Sequence, residues 1–542
     1  MTRYQAEVVI IGGGVAGLAA TIELLHAGNR VLLIDRDDED LLGGLARESF
    51  GVLFVVGTPE QKRARILDTE ELAFRDWCRF GELTEADGNA YLWAQRYVER
   101  CRPDIYEWVK TLGIKFVPSL LWAERGLNGE GNAVPRHHLV WGTGFELARV
   151  LAQTARHHQA SNRLTCKFRH RVDGLSLKGG LVRGCHGIDE ATGTAFEVEA
   201  EAVIVATGGV NGNDEIIREN WHRDWGSTSP EVVLNGSHKY ATGILHKAVR
   251  EAGGALSNLD RNWNYAAGIP HPRPRKPRHG LSTVPCKSAL WLDASGRRFG
   301  PAPLVPGYDT RDLVSTICQV AEQKSLPKHS WQVMNRKIML KEFAISGSEY
   351  NANLRDKKLL STIRTALFGD VSAMDRIIAE NEAIVVAHSL AALIEKMQSI
   401  SPGLTIDGAG MIADITAYDD AIERGPRFYN DHQLIKLGHL RSYGQERGRL
   451  CKFQKIADPV AGPLIAIKLN IISRKSLGGI QTDLTCNVVG TDGTSMPTLY
   501  AAGEAAGFGG GGIHGLRSLE STFLGACILT GRTAGRAAAA SL

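Results

Sequence analysis

The sequence predicts an α/β fold made from both ends of the chain, with an α+β segment inserted between them. Three observations carry this prediction. An apolar run near the N-terminus breaks on glycines and is followed by a helix and a second apolar run. Another apolar run breaks on glycines after residue 205, and a glycine-rich block with a small-residue helix closes the chain. The long stretch between these blocks is proline-dense at first and then rich in polar, helix-forming residues.

The first stretch fixes the fold type. Val8, Val9, Ile10 and Ile11 read as a buried parallel strand. Gly12, Gly14 and Gly17 follow at G-x-G-x-x-G spacing. Gly12 permits the tight turn, Gly14 lets the backbone approach a pyrophosphate, and Gly17 lets the next helix pack on the strand. That helix spans residues 16–27 and presents its positive N-terminal end to the phosphates. Gly28 stops it, and residues 30–34 form a second strand ending in Asp35, where a carboxylate can accept from a ribose hydroxyl. A Rossmann-like, dinucleotide-binding core follows. Arg36, directly after the acid, lies at the same site.

Gly43-Gly44 and Ser49 form a small-residue loop beside that phosphate site, and residues 58–102 read as helices. A helix spans residues 145–157. Strands are expected at 164–168, 172–177 and 181–188, with Gly179-Gly180 turning between the last two. Residues 202–212, AVIVATGGVNG, are a buried strand running into a loop that closes on the dinucleotide. A helix follows from Thr242-Gly243 to about residue 252. The organisation expected is residues 1–257 for the first part of the core, 258–444 for the inserted cap, and 445–542 for the rest of the core. In the last part, Leu499 to Ala502 form a strand, Gly509 to Gly512 demand unusual backbone angles, and a helix starts near Ser521 and Thr522.

Composition narrows the class. The chain has 542 residues, enough for two or three domains, with 43% hydrophobic and 23% charged residues. A net charge of +4 argues against a nucleic-acid partner, and the basic run at 273–278 is interleaved with prolines and reads as a solvated loop. Nine scattered cysteines without C-x-x-C pairs point to a reducing compartment and to no metal site. The N-terminus enters a strand within seven residues, and no apolar run approaches the length of a transmembrane span. The expectation is a soluble cytoplasmic protein.

Together these blocks resemble the flavoprotein superfamily of fumarate reductase, succinate dehydrogenase and 3-ketosteroid dehydrogenase, over roughly residues 6–257 and 445–542. The likeness is nearest to the ketosteroid-dehydrogenase-like branch. It implies a Rossmann-like FAD-binding domain with an inserted α+β capping domain over the flavin. It also implies that Gly12, Gly14 and Gly17 hold the FAD pyrophosphate, with Asp35 and Arg36 at the ribose. Gly43, Gly44 and Ser49 supply the second loop, Val172 lies beside adenine, and Thr207, Gly208 and Gly209 form the A-T-G-G turn. Glu504 meets the ribityl chain, and the amides after Ser521 and Thr522 face the flavin pyrimidine. Residues 40–57 contain no histidine, so the resemblance implies non-covalent FAD. The segment His514-Gly515-Leu516-Arg517-Ser518 departs from the H-G-x-N-R of fumarate reductases, and Arg474-Lys475-Ser476 lacks their histidine. Dicarboxylate chemistry is therefore disfavoured.

Such enzymes move a hydride between substrate carbon and flavin while a protein group handles the other proton. The catalytic candidates are His514, after the glycine run, Arg517, close to the helix start, and Tyr443 as an electrophilic phenol. Arg474, Lys475, Tyr240, Tyr265 and Tyr350 are further candidates, and His137-His138 reads as a polar loop pair. The function expected is an FAD-dependent dehydrogenase or reductase of a CH–CH or C=C bond beside a carbonyl. A small hydrophobic, steroid-like ketone is its expected substrate, and its electron acceptor is not named by any motif. A flavin monooxygenase or oxidase, and a non-catalytic flavin-binding protein, are the alternatives.

Overall fold

The computed structural model describes residues 1–157 and 162–542. Its first sheet has a parallel centre in the spatial order Ser495–Ala501, Thr194–Val205, Thr2–Ile11, Val31–Ile34, Leu164–Lys167. The strands are apolar because both faces are covered: Val8 to Ile11 and Val31 to Ile34 are all buried. Their carboxyl ends lie level. Ile11 pairs with both Ile34 and Val205, and Val205 with Ala501. The crevice beyond such ends is where open α/β sheets bind ligands. The hairpin His170–Lys178 and Leu181–Asp189 turns at Gly179-Gly180 and joins the antiparallel flank of Thr194–Val205.

Two helices cover the centre of this sheet, Val15–Ala27 from the start of the chain and Thr522–Ala540 from its end. They meet through residues without side chains. A Cβ on Gly531 would lie 2.2 Å from the carbonyl oxygen of Ala16, and one on Gly535 2.6 Å from that of Ala20. Arg532 adds an ion pair to Glu23 at the rim of the contact. Both helix N-termini thereby lie beside the same crevice.

The second sheet is antiparallel for the most part, and its centre is one long strand, Leu464–Ser476. Ser330–Asn335, Ile384–Ala387 and Asn262–Pro270 pair with it antiparallel, and Val233–Asn235 pairs with it parallel. Two of these strands thus come from outside the insertion expected at 258–444. An apolar run such as 464–469 reads as a buried strand in either sheet, and only long-range pairing decides which one takes it.

Residues 330–335, expected within a polar helical region, are instead a wholly buried strand. Its polar side chains are all partnered. Trp291 Nε1 donates to Ser330 Oγ at 2.9 Å, Gln332 bonds both the amide and the carbonyl of Cys286, and Asn335 caps the helix Arg336–Glu342. The helices expected in residues 58–102 are Pro59–Arg63, Glu70–Gly81 and Asn89–Arg100. Among the described residues no helix is long and apolar enough to cross a membrane.

The glycine contact between the two covering helices yields a prediction. Gly531→Val drives a branched side chain into the Ala16 carbonyl and should cost about 3 kcal/mol, the upper end of ordinary overpacking. The measurement is the urea midpoint at constant m-value. An unshifted midpoint would show that the two helices do not touch there.

Candidate active site

One cavity of about 580 Å3 runs from the glycine turn of the first sheet to the inner face of the second. That size is ordinary for a small-molecule or cofactor pocket, roughly 300–1,000 Å3. At one end, Gly12 sits at φ 106° with the space for a Cβ filled by the Ala206 carbonyl, 2.4 Å away. Gly17 does not line the cavity; a Cβ there would lie 1.9 Å from the Gly12 carbonyl oxygen, so its part is to let helix meet strand. Gly14 and Gly208 are different. Both line the cavity, and a Cβ on either would meet nothing within 4 Å. Their backbone faces are bare, and Gly14 precedes a helix whose first turn has no side-chain cap. Free amides beside bare backbone suit a pyrophosphate.

Asp35 closes this end. Its carboxylate accepts from the amides of Gly13 at 2.5 Å and Asp37 at 2.7 Å. Burial raises its pKa, against the pull of those two amides. Arg36 lines the cavity but is held outward: it forms a double hydrogen bond to Glu190, at 2.9 and 2.8 Å, and lies 4.2 Å over the Tyr240 ring. Gly43, Gly44, Ser49, Val172, Thr207 and Gly209 also line the cavity. The Ser49 hydroxyl donates to the Ala46 carbonyl, so it serves the turn itself. Glu504 lines the middle and accepts from the Ser476 amide at 3.0 Å; burial pushes it up to about 7. Ser521 lines the cavity in a left-handed conformation, φ 76°. Thr522 does not, and its hydroxyl turns back to the Leu519 carbonyl.

The three catalytic candidates lie away from the cavity wall. His514 is fully buried, stacked on Trp77 at 5.4 Å and 12°, with Phe508 and Phe523 against its other sides. Both ring nitrogens lack a hydrogen-bond partner, and burial pushes its pKa down to about 3. After the glycine run the chain turns inward around Trp77, whose indole nitrogen donates to the Ile513 carbonyl, so sequence proximity to the helix does not bring this ring to the cavity. Arg517 is paired with Asp309 and Glu82. Tyr443 donates to the Leu120 carbonyl and packs edge-on against Trp122, one layer behind the wall. Tyr350 is also off the wall, whereas Tyr240, Arg474 and His137 are on it.

Among the polar groups that face the cavity, three side chains form a hydrogen-bonded chain: Lys475, Tyr265 and Glu520. Lys475 Nζ lies 3.3 Å from Tyr265 Oη, which donates to Glu520 Oε1 at 2.5 Å; Trp263 Nε1 donates to the same oxygen at 2.6 Å. The pairing of Trp263 with Lys475 across the second sheet brings the first two elements together. The third comes from the turn before the last helix. Burial pushes Lys475 down to about 8. Burial also pulls Glu520 upward, but the Lys475 charge and the two donors outweigh it and hold the carboxylate below its usual range. Tyr265 is raised well above an ordinary phenol, by burial and then by Glu520. Beyond this chain the walls turn apolar at Ala266, Ala267, Trp291, Leu313 and Ile345. Glu520 is the residue that sequence reasoning missed. Its signal was faint: an acid just before the small-residue helix that closes the chain.

This chain is similar to known proteins over nearly its whole length. A family model described as "FAD binding domain" matches residues 7–524. A KsdD-like steroid dehydrogenase of Mycobacterium tuberculosis (strain ATCC 25618 / H37Rv) is 40% identical, over 98% of this chain and 96% of that protein. A KsdD-like steroid dehydrogenase of Mycolicibacterium smegmatis is 39% identical, over 99% and 100%. The crystal structure of 3-ketosteroid delta1-dehydrogenase from Sterolibacterium denitrificans, in complex with 1,4-androstadiene-3,17-dione, shares the fold. The TM-score is 0.71 at 14% identity, covering 99% of this chain and 100% of that one.

Asp35→Ala should leave the protein folded and weaken FAD binding. Losing a charge-assisted contact costs about 1.5–3 kcal/mol, or roughly 10- to 150-fold in Kd. Titration of the flavin-stripped protein with FAD measures it, and an unchanged Kd would remove Asp35 from the ribose site.

Proposed function

The chain belongs to the FAD-binding domain family, and from that premise we propose that it is an FAD-dependent dehydrogenase of a hydrophobic, steroid-like ketone. The bond acted on is CH–CH beside the carbonyl. The relatives of nearly equal length that are named KsdD-like steroid dehydrogenases support this reading, as do the apolar walls beyond Tyr265. The observation that carries it is the chain Lys475–Tyr265–Glu520, set in the same cavity as the glycine turn.

Dehydrogenation beside a ketone removes a proton from one carbon and a hydride from its neighbour. Bound FAD supplies the two-electron acceptor. In this reading Gly12, Gly14, Asp35, Gly43, Gly44, Thr207, Gly208, Gly209 and Glu504 hold it, and the amides after Ser521 face its ring. The protein's own task is the proton. A proton taken up at Tyr265 Oη displaces the phenolic proton to Glu520 Oε1, 2.5 Å away. Lys475, cationic below about pH 8, steadies the oxygen through which the proton passes.

Two outcomes test this. Tyr265→Phe should keep its FAD and lower the single-turnover rate of flavin reduction by a 3-ketosteroid by about 10²-fold or more. His514→Ala should lower stability and leave that rate within about threefold of wild type, since general acid–base loss accounts for larger factors. The reverse pattern would return His514 to the site and remove the Tyr265 chain. Flavin attachment is checked separately. Residues 40–57 hold no histidine, so acid precipitation should release all of the flavin as FAD; flavin retained by the pellet would show a covalent link.

A further inference from the structure

The helix Leu359–Phe368 has no buried residue. Leu359, Leu360, Ile363, Leu367, Phe368 and, just beyond, Val371 are all exposed. Leu360 is 84% exposed and Phe368 69%. Positions 360, 363 and 367 recur at helical spacing within this helix, so their side chains form one apolar stripe, with Phe368 at its edge and Val371 opening the next helix after Gly369. Amphipathic helices of folded proteins turn such a stripe to the core; this one turns it outward.

The stripe lies beside the mouth of the cavity. Its helix packs against Ala352–Arg355 and Gly444–Arg449. Ile345 and Asn351, which lead into the first of these, line the cavity, as do Glu446 and Arg449 of the second. Val284 and Arg449 are lining residues that also reach solvent, so the cavity opens on this side.

The unpaired charge around the stripe is positive. Residues 357–368, KKLLSTIRTALF, carry three cations and no acid. Lys358, Arg364, Arg447 and Arg449 are exposed and make no ion pair among the described residues. The nearest acids are already engaged: Asp356 by Arg355, Asp375 by Arg336, and Asp370 as a helix cap.

We propose that this face docks on an anionic lipid surface, with Leu360, Ile363, Leu367 and Phe368 entering the interface and the four cations meeting headgroups. An apolar stripe flanked by unpaired cations is the signature of a helix lying in the plane of a membrane interface, and neither feature is strong enough alone. Docking there puts the mouth of the cavity at the lipid boundary, where a sterol-like ketone is dissolved. That delivery role rests on the dehydrogenase reading; vesicle binding does not and is read without turnover.

The test is sedimentation of the FAD-loaded full chain with vesicles of phosphatidylcholine, with and without phosphatidylglycerol. Binding should require phosphatidylglycerol and weaken with salt. Leu360→Asp with Phe368→Asp should lower the partition coefficient about tenfold or more at unchanged flavin content. Lys358→Glu with Arg364→Glu should remove the preference for phosphatidylglycerol. The proposal is overturned if the wild type does not sediment with anionic vesicles, or if the apolar variant sediments as well as wild type. It is also overturned if light scattering shows a dimer that the apolar variant splits, which would assign the stripe to a second copy of the chain.

Discussion

Backbone meeting backbone, where no side chain fits, is the constraint on which this structure rests. Gly17 against the Gly12 carbonyl sets how closely the first helix approaches its strand, and Gly531 against the Ala16 carbonyl sets how closely the last helix approaches the first. Gly503 continues the series, since a Cβ there would lie 2.8 Å from Ala16 Cβ. Ala16 is thus approached by both C-terminal segments, from the turn after Ala501 and from the closing helix. The fingerprint at residue 12 and the block after residue 498 are one packing unit, although almost the whole chain separates them.

That unit brings two helix starts to one crevice, and its other wall is supplied by the second sheet. Buried charge then sorts the wall chemically. Glu504 and Glu520 are both carboxylates of the C-terminal segment, yet their environments push them apart. At Glu504 burial outweighs one amide donor and the charges of Lys475 and Arg474, whereas at Glu520 the Lys475 charge together with two side-chain donors outweighs burial. In the proposed reaction, the ionised Glu520 carboxylate at the end of the phenol's hydrogen bond receives the proton.

How much of this was legible in the sequence follows from the range of the interactions. Gly12, Gly14 and Asp35 belong to a local pattern whose spacing points to them, and the family resemblance adds Gly43, Gly44 and Thr207 to Gly209; each lies on the cavity. Gly17 was equally legible as the residue that lets the helix pack. His514, Arg517 and Tyr443 were chosen by nearness in sequence to the glycine run or by residue type. Their surroundings are instead decided by distant partners: Trp77, Asp309 and Leu120. The Lys475–Tyr265–Glu520 chain joins three separate segments, and no periodicity in any one of them announces the others. The same reason hid the second sheet's central strand. A run of Leu, Ile and Ala from 464 to 467 declares burial and nothing about its neighbours.

Leu464–Ser476 also has a mechanical meaning. It is clamped along most of its length by four strands of the second sheet, and its last residues, Lys475 and Ser476, reach the proton chain and the Glu504 carboxylate. A stiff rod held at one end transmits displacement to the other. Tyr265 sits on a strand paired with this one, so any tilt of the second sheet over the first carries Lys475 and Tyr265 together and moves both relative to Glu520. The strand that anchors the second sheet is thus also the one that carries Lys475, so the seating of that sheet over the first sets how far Lys475 and Tyr265 stand from Glu520.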